Sequence, residues 1–503
     1  MVRLYILCSL VVVSRSLFCQ TIYVTQTGNG TMNGSSWSNA YSGDMLQRAI
    51  DEASSEVWVA SGTYRTTTGT DRTISFHMRN GITTYGSFAG TETSVLQRNL
   101  SNGLTSVLTG EIGAAGNSDN SYHTIHNTSL NNSAIVDGFI ITGANDNRVA
   151  TETEGLGGGI YNAGNGGICS PTIRNCVIVN NRAVFGAGIF NSGYLGGNAN
   201  PVISNCVIAF NTATTGGGGI DNFGLAGNAS PSITNTIFYE NTAAERAGAM
   251  YCWGGNTGNA NPTVINSVFV NNHAADGGAI VSDRLNSSTG SSGNSNPSFT
   301  NCIFLNNSVT GTGPQFLLLG GATFNITFSA IDLTGQSSPN VITGGTGNIN
   351  SNPLFINASA GAGVDGDWLT ADDGLRLQPL SPCINSGNNT GTTSTDILAN
   401  PRIIDVTIDM GAYEYNGLVT GFEELSHDRI RFYPNPASDK VYFSGIQSGD
   451  QIHLLNAQGQ VAHPYGRSDK ANELDIRQLP AGIYLIVIDS GKHKTTKKLL
   501  ISR

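Results

Sequence analysis

The sequence predicts an all-β chain: a right-handed parallel β-helix with a short capping helix near its N-terminal end, followed by a small Ig-like β-sandwich. Three observations carry this. First, one phrase recurs five times, as PTIRNCVIVNN (171–181), PVISNCVIAFN (201–211), PSITNTIFYEN (231–241), PTVINSVFVNN (262–272) and PSFTNCIFLNN (297–307). The start-to-start spacings are 30, 30, 31 and 35 residues. A second phrase alternates with it: GGGIYN (157–162), GAGIFN (186–191), GGGIDN (217–222), AGAMYC (247–252) and GGAIVS (277–282). Second, the period holds no apolar pattern of helix length. Each unit is two short β-branched runs separated by Asn, Gly and Ala, which reads as strand–turn–strand–turn. Such a unit cannot bury a core alone and must stack on its neighbours; about 30 residues suit one turn of a solenoid. Third, the charge splits in two. From Gln20 to Asp428, 12 Arg and no Lys stand against 29 Asp and Glu, a balance of −17. From Arg429 to Arg503 there are 11 basic and 6 acidic residues, a balance of +5. Two compositions mean two domains.

Residues 1–20 have the form of an export signal, with Arg3 ahead of an apolar run from Leu4 to Val13 and cleavage near Cys19 or Gln20. That run is too short to span a bilayer, and no later stretch is a transmembrane candidate. The β-helix then occupies 21–415. Met45 to Ala53 has the apolar spacing of a short helix with Asp44 as its cap, and VWVASGTY (57–64) reads as the first full strand. A helix over the open edge of a solenoid removes a template for aggregation. In the core repeats, 157–310, alternation turns Ile173, Cys176 and Ile178 inward, with Ile203, Cys206 and Ile208 below them. Asn175, Asn205, Asn235, Asn266 and Asn301 form a column, read as an inward asparagine ladder at a bend. Cys176, Cys206 and Cys302 share a column too; stacked side chains pointing one way suit packing better than a Cys176–Cys206 disulfide. Past Asn307 the period decays. FNITFSAIDLTG (324–335) and NINSNPLFIN (348–357) read as last coils, a closing segment covers about 353–415, and a linker spans 416–428. Residues 429–503 alternate in period two between turn signals, the pattern of a small sandwich.

The order SSWSNAY, VWVASGTY, YGSFAGTET, VDGFIITGA, GGGIYN and PTIRNCVIVNN resembles secreted pectin-lyase-like β-helix proteins of the Bacteroidetes. The FVNN…GGAI pairing (269–280) is also similar to the repeats of polymorphic outer-membrane proteins. YPNP (433–436), LPAGIYLI (479–486) and KKLLI (497–501) together resemble the type A C-terminal sorting domain of the type IX (Por) secretion system. The resemblance implies export through the periplasm, engagement of the type IX machinery by residues 429–503, and a destination at the outer-membrane surface or outside the cell.

The chemistry between is sparse. Uronate lyases of this fold class need acids to hold Ca²⁺ and Arg or Lys to neutralise substrate and take a proton, and a hydrolase needs two spaced carboxylates. The β-helix has no lysine. Glu245 and Asp276 share an offset from Asn241 and Asn272, with Arg246 and His273 beside them, so they are a weak candidate catalytic group; the favoured reading of them is a solvated turn with an ion pair. Asp365, Asp367, Asp372 and Asp373 are a candidate Ca²⁺ site, or an exposed acidic turn, and no other cofactor is implied. Alternation places Tyr161, Phe190, Phe223, Tyr251 and Trp253 on an outward stripe suited to sugar rings, unless neighbouring loops bury it. The balance of −17 argues against nucleic acid and polyanions. The expected function is adhesion or glycan binding to a polysaccharide or a host or cell-surface ligand; the alternative is a polysaccharide lyase or hydrolase.

Overall fold

The computed structural model describes residues 21–285, 293–336, 345–404, 406–417, 431–444, 451–456, 460–464, 473–489 and 494–503. The export signal (1–20) and the linker from 418 onward lie outside these. The chain divides between Gly417 and Leu418 into two compact units.

In the first unit each coil adds a strand to parallel sheets of ten, nine, seven and six strands. Pairing runs in register from coil to coil, Ile173 on Ile203 on Ile233 on Val264 on Phe299. A second line runs Ile178, Ile208, Phe238, Phe269, Phe304, and both lines are buried. Toward the far end isoleucine gives way to phenylalanine, and Phe238, Phe269 and Phe304 stack at centroid distances of 4.5 and 4.6 Å. Ala183, Ala213, Ala243 and Ala274 fill the tight corner behind the six-stranded sheet.

A narrow coil must still satisfy every polar group at its bends. Asn181, Asn211, Asn241, Asn272 and Asn307 do this from inside. Each Nδ2 donates to the next coil's Oδ1, at 3.1, 3.0, 3.0 and 2.9 Å. The same Oδ1 accepts the preceding asparagine's backbone N–H. The remaining Nδ2 hydrogen goes to a carbonyl oxygen of the coil on the other side. A second interior ladder, Asn127–Asn162–Asn191–Asn222, has steps of 3.0, 2.9 and 2.9 Å. The Asn175 column, expected inward, faces out. Its members are left-handed, with φ between 47° and 57°, a conformation asparagine tolerates. A left-handed residue between two strands breaks the alternation of side-chain direction, so counting in twos across it chooses the wrong side.

Other expectations are corrected at the N-terminal end. The helix is Leu46–Glu52, burying Leu46, Ala49 and Ile50, and its N-cap is Met45 without a side-chain bond. Asp44 lies in the preceding 3₁₀ turn, Gly43–Met45. Residues 57–64 are not one strand: Glu56–Ala60 and Gly62–Arg65 belong to different sheets, with the corner at Ser61, and Thr21–Val24 precedes both. All six described cysteines are buried and free; Cys176 and Cys206 each donate Sγ–H to the carbonyl two residues back, at 3.1 and 3.2 Å.

The solenoid's last paired strands are Asn325–Thr327 and Ala330–Ile331. Residues 353–404 and 406–415 then run along the outside of the nine-stranded sheet. Trp368, Leu369, Leu375, Met410 and Tyr413 pack on its outward Val207, Ile237, Tyr239, Val268 and Ile303. This explains why its strands are apolar on both faces, as in VIV and VIA.

The second unit is two antiparallel sheets. One holds Arg431–Tyr433, Lys440–Ser444 and Glu473–Asp475, the other Gln451–Leu455, Val461–Pro464, Gly482–Asp489 and Lys494–Ile501. Val441, Phe443 and Leu474 from the first share a core with Leu454, Ile486 and Leu499 from the second, which makes a sandwich. Among the described residues no helix is long and apolar enough to cross a membrane.

Candidate functional site

The seven-stranded sheet carries the aromatic residues singled out for binding. Its outward columns read as alternation requires, Tyr161 on Phe190 on Asp221 on Tyr251, and Phe223 on Trp253. The stripe is nonetheless covered. Tyr161, Phe190, Phe223 and Tyr251 are 2, 2, 7 and 5% exposed, and Trp253 is half-buried. Leu156, Phe185 and Tyr194 from adjacent turns fold against the rings, and Ala247, Val281 and Leu317 cover the far end. Asp221 sits in this layer with no exposure and no partner on either oxygen. Burial raises its carboxyl well above the usual range.

The expected acid pair is not a pair. Thr242 lies opposite His273, but Arg246, not Glu245, lies opposite Asp276. The register slips by one residue between them, and Glu245 is left exposed. Asp276 accepts from Thr312 N and Oγ1 at 2.8 and 3.0 Å. His273 Nδ1 is 2.9 Å from Ser308 Oγ. What the fold does assemble is Arg246, Tyr251 and Asp283. The Tyr251 hydroxyl donates to Asp283 Oδ2 at 3.0 Å, and Arg246 Nη1 reaches both at 3.4 and 3.5 Å. Asp283 was visible in the sequence only as an outward position in the column.

The four candidate aspartates, Asp365, Asp367, Asp372 and Asp373, also separate. Asp372 Oδ2 accepts the backbone N–H groups of Val364 and Asp365, and its Oδ1 the Thr370 hydroxyl; the hydroxyl first, then the N–H groups, hold it at about 2. Asp373 is turned the other way into the core, where its Oδ2 takes the Tyr413 hydroxyl at 2.6 Å, and burial pushes it up to about 7. Asp365 and Asp367 stay exposed. Among the described residues no group of three or more His, Cys, Asp or Glu is placed to hold a metal.

A different site emerges where the closing segment meets the solenoid. It is a cleft of about 480 Å³, within the range of small-molecule sites. Arg98, Asn175 and Asn205 line it from the solenoid, and Arg376, Asp396, Tyr413 and Glu414 from the closing segment, over apolar Leu100, Leu369 and Ile397. A wider depression nearby, about 610 Å³, has Glu92 as its only charged residue, and that carboxylate is taken up by three backbone N–H groups.

The cleft residues are fixed from behind. Arg98 is 7% exposed and bonds Asp137 Oδ1 at 2.7 Å; Arg174 takes Oδ2 of the same carboxylate. Asp396 accepts four N–H donors: the backbones of Leu398, Asn400 and Glu414, and the Asn400 amide. Asp409 accepts the backbones of Asn385 and Tyr415. Beneath them Arg402 is fully buried, 3.5 Å from Glu414 Oε2, and donates Nη2 to Asn235 Oδ1 and the Gly411 carbonyl. One guanidinium thus stands among Asp396, Asp409 and Glu414. Glu414 Oε2 accepts the Asp409 backbone N–H at 3.2 Å, and burial, followed by the Asp409 charge, pushes its carboxyl up to about 8. Asp396, Arg402, Asp409 and Glu414 were missed in the sequence; their one signal was charge recurring inside an apolar, aperiodic segment.

Residues 431–502 match the family described as the secretion system C-terminal sorting domain, the Por secretion tail. A domain of this kind indicates export by the type IX machinery, to the cell surface or beyond. No curated protein matches the chain. The solved structures to which the chain is distantly similar include the following two. One is a 1,3-α-1,4-β-D-galactose-4-sulfate-3,6-anhydro-D-galactose-2-sulfate 4-galactohydrolase, at 14% identity over 53% of this chain and 61% of that one, TM-score 0.25. The other is an iota-carrageenase complexed to iota-carrageenan fragments, at 16% identity over 54% and 59%, TM-score 0.23. The chain thus spans about three fifths of the length of either.

Proposed function

We propose that this exported β-helix holds a glycan in the cleft between its closing segment and its solenoid, and that it binds without cleaving. The observation that carries this is the cleft itself: about 480 Å³ in volume, walled by amides and guanidinium groups whose positions are already set by hydrogen bonds behind them. Side chains ordered before the ligand arrives lose little freedom on binding, which favours affinity. The aromatic stripe is the weaker candidate because its rings are spent on packing. A glycan array with the mature chain tests this. Arg376→Ala is expected to weaken the bound glycans at least tenfold, and Trp253→Phe to leave them unchanged. The opposite pattern would move the site to the seven-stranded sheet.

One observation favours a second reading, a polysaccharide hydrolase. Glu414 lines the same cleft and, with its carboxyl at about 8, holds its proton at neutral pH as a general acid must. In that reading reducing ends are released from a polysaccharide, and Glu414→Gln abolishes the release.

A further inference from the structure

We infer that the glycan held in the cleft carries a single acidic sugar, whose carboxylate is received by the N–H donors of the cleft walls. This rests on the reading of the cleft as a glycan site and names what that site selects.

The argument is an account of donors and acceptors. Along the outward asparagine column each acceptor end is engaged within the column: Asn175 Oδ1 accepts from Asn205 Nδ2 at 3.3 Å, and Asn205 Oδ1 from Asn235 Nδ2 at 2.9 Å. Each amide nitrogen carries two hydrogens. Asn175 spends one on Asp137 and Asn205 spends one on Asn175, so each keeps a hydrogen for a ligand. Of the two carboxyl groups in the wall, Asp396 has both oxygens filled by four N–H groups, and Glu414 Oε2 takes the Asp409 backbone N–H and lies 3.5 Å from Arg402. The Tyr413 hydroxyl is committed to Asp373. The charged groups left to meet a ligand are therefore cationic: Arg98, which already gives N–H groups to Asp137 and the Gly86 carbonyl, and Arg376, which gives one to the Ala371 carbonyl. Arg98 is almost wholly out of water, where charge-assisted bonds gain strength. A donor-lined cleft with two guanidiniums fits an oxyanion, and the planar fork of arginine fits a carboxylate.

The rest of the molecule limits how much anion is tolerated. Residues 20–428 carry −17, and this field repels a densely charged chain over roughly a Debye length, about 10 Å. A local demand for one negative group within a global bias against many is met by an otherwise neutral glycan with one carboxylate.

The test is a calorimetric titration of the mature chain with sialyllactose, a terminally glucuronylated lactose, lactose, and sulfated lactose. At least one carboxylate-bearing sugar is expected to bind tenfold or more tighter than lactose and than the sulfated form. Arg376→Ala should erase that preference, and Arg376→Lys should keep part of it. Asn205→Asp, which sets a like charge beside the carboxylate, should erase it as well, and it gives a second route should Arg376→Ala fold poorly. Equal binding of lactose, or better binding of the sulfated sugar, with both still weakened by Arg376→Ala, would overturn the carboxylate inference while leaving the cleft as a glycan site. Glycan binding that ignores both Arg376→Ala and Asn205→Asp would overturn the inference and the cleft reading together.

Discussion

Two asparagine columns stand six residues apart in the same repeat, and they differ in what they leave over. In the inner one, Asn181 to Asn307, each amide is paired to the next coil and to backbone. In the outer one, Asn175 to Asn301, the amides pair with each other and then with whatever lies outside. For Asn235 and Asn301 that is the closing segment, through Thr395 and Asn388. For Asn175 and Asn205 it is the cleft. Saturated amides hold the coil together. Unsaturated ones recruit a partner.

Substitutions separate the two roles. The largest effect is expected at Arg402, which ties the closing segment to the outer column. Arg402→Leu strands buried carboxylates and should cost about 3–5 kcal/mol in the denaturant unfolding of the first unit; a cost below about 1 kcal/mol would mean the closing segment is not anchored there. Asn241→Ala comes next. It removes the acceptor of Asn211 Nδ2 and backbone N–H and opens a small void, at about 2–3 kcal/mol.

Stability should also depend on pH through the closing segment. Glu414 and Asp373 titrate at about 8 and about 7 in the fold and near 4 when unfolded. Between those limits the folded state keeps protons the unfolded chain has lost, so stability is greatest near pH 4–5 and falls as pH rises to 8. Glu414→Gln should flatten the upper part of the decline, read as melting temperature against pH. Asp372, held at about 2, acts oppositely, its contribution being lost below pH 4. Smallest of all is Asn205→Ala. It should cost less than about 1 kcal/mol, because the outer amide has only side-chain partners there, and a loss as large as that of Asn241→Ala would erase the distinction between the columns.

The fold was legible because stacking writes itself into the sequence every 30 residues or so: the inward Ile173 and Ile203 lines and the period of the phrases needed no tertiary information. The site was not, for three physical reasons. A left-handed asparagine hides which way its column faces. Exposure of Tyr161 or Phe223 is decided by Leu156 and Phe185 in neighbouring turns, not by alternation. The cleft is made by a segment with no period, whose Asp396, Arg402 and Glu414 meet only because it doubles back over Ile237 and Val268.

The most direct test of the central claim joins both readings in one incubation: the mature chain with a panel of neutral and acidic polysaccharides, scoring retention on the glycan and release of reducing ends together. The account predicts retention that Arg376→Ala removes, with no products. Reducing ends released by the wild-type chain and absent with Glu414→Gln would contradict it.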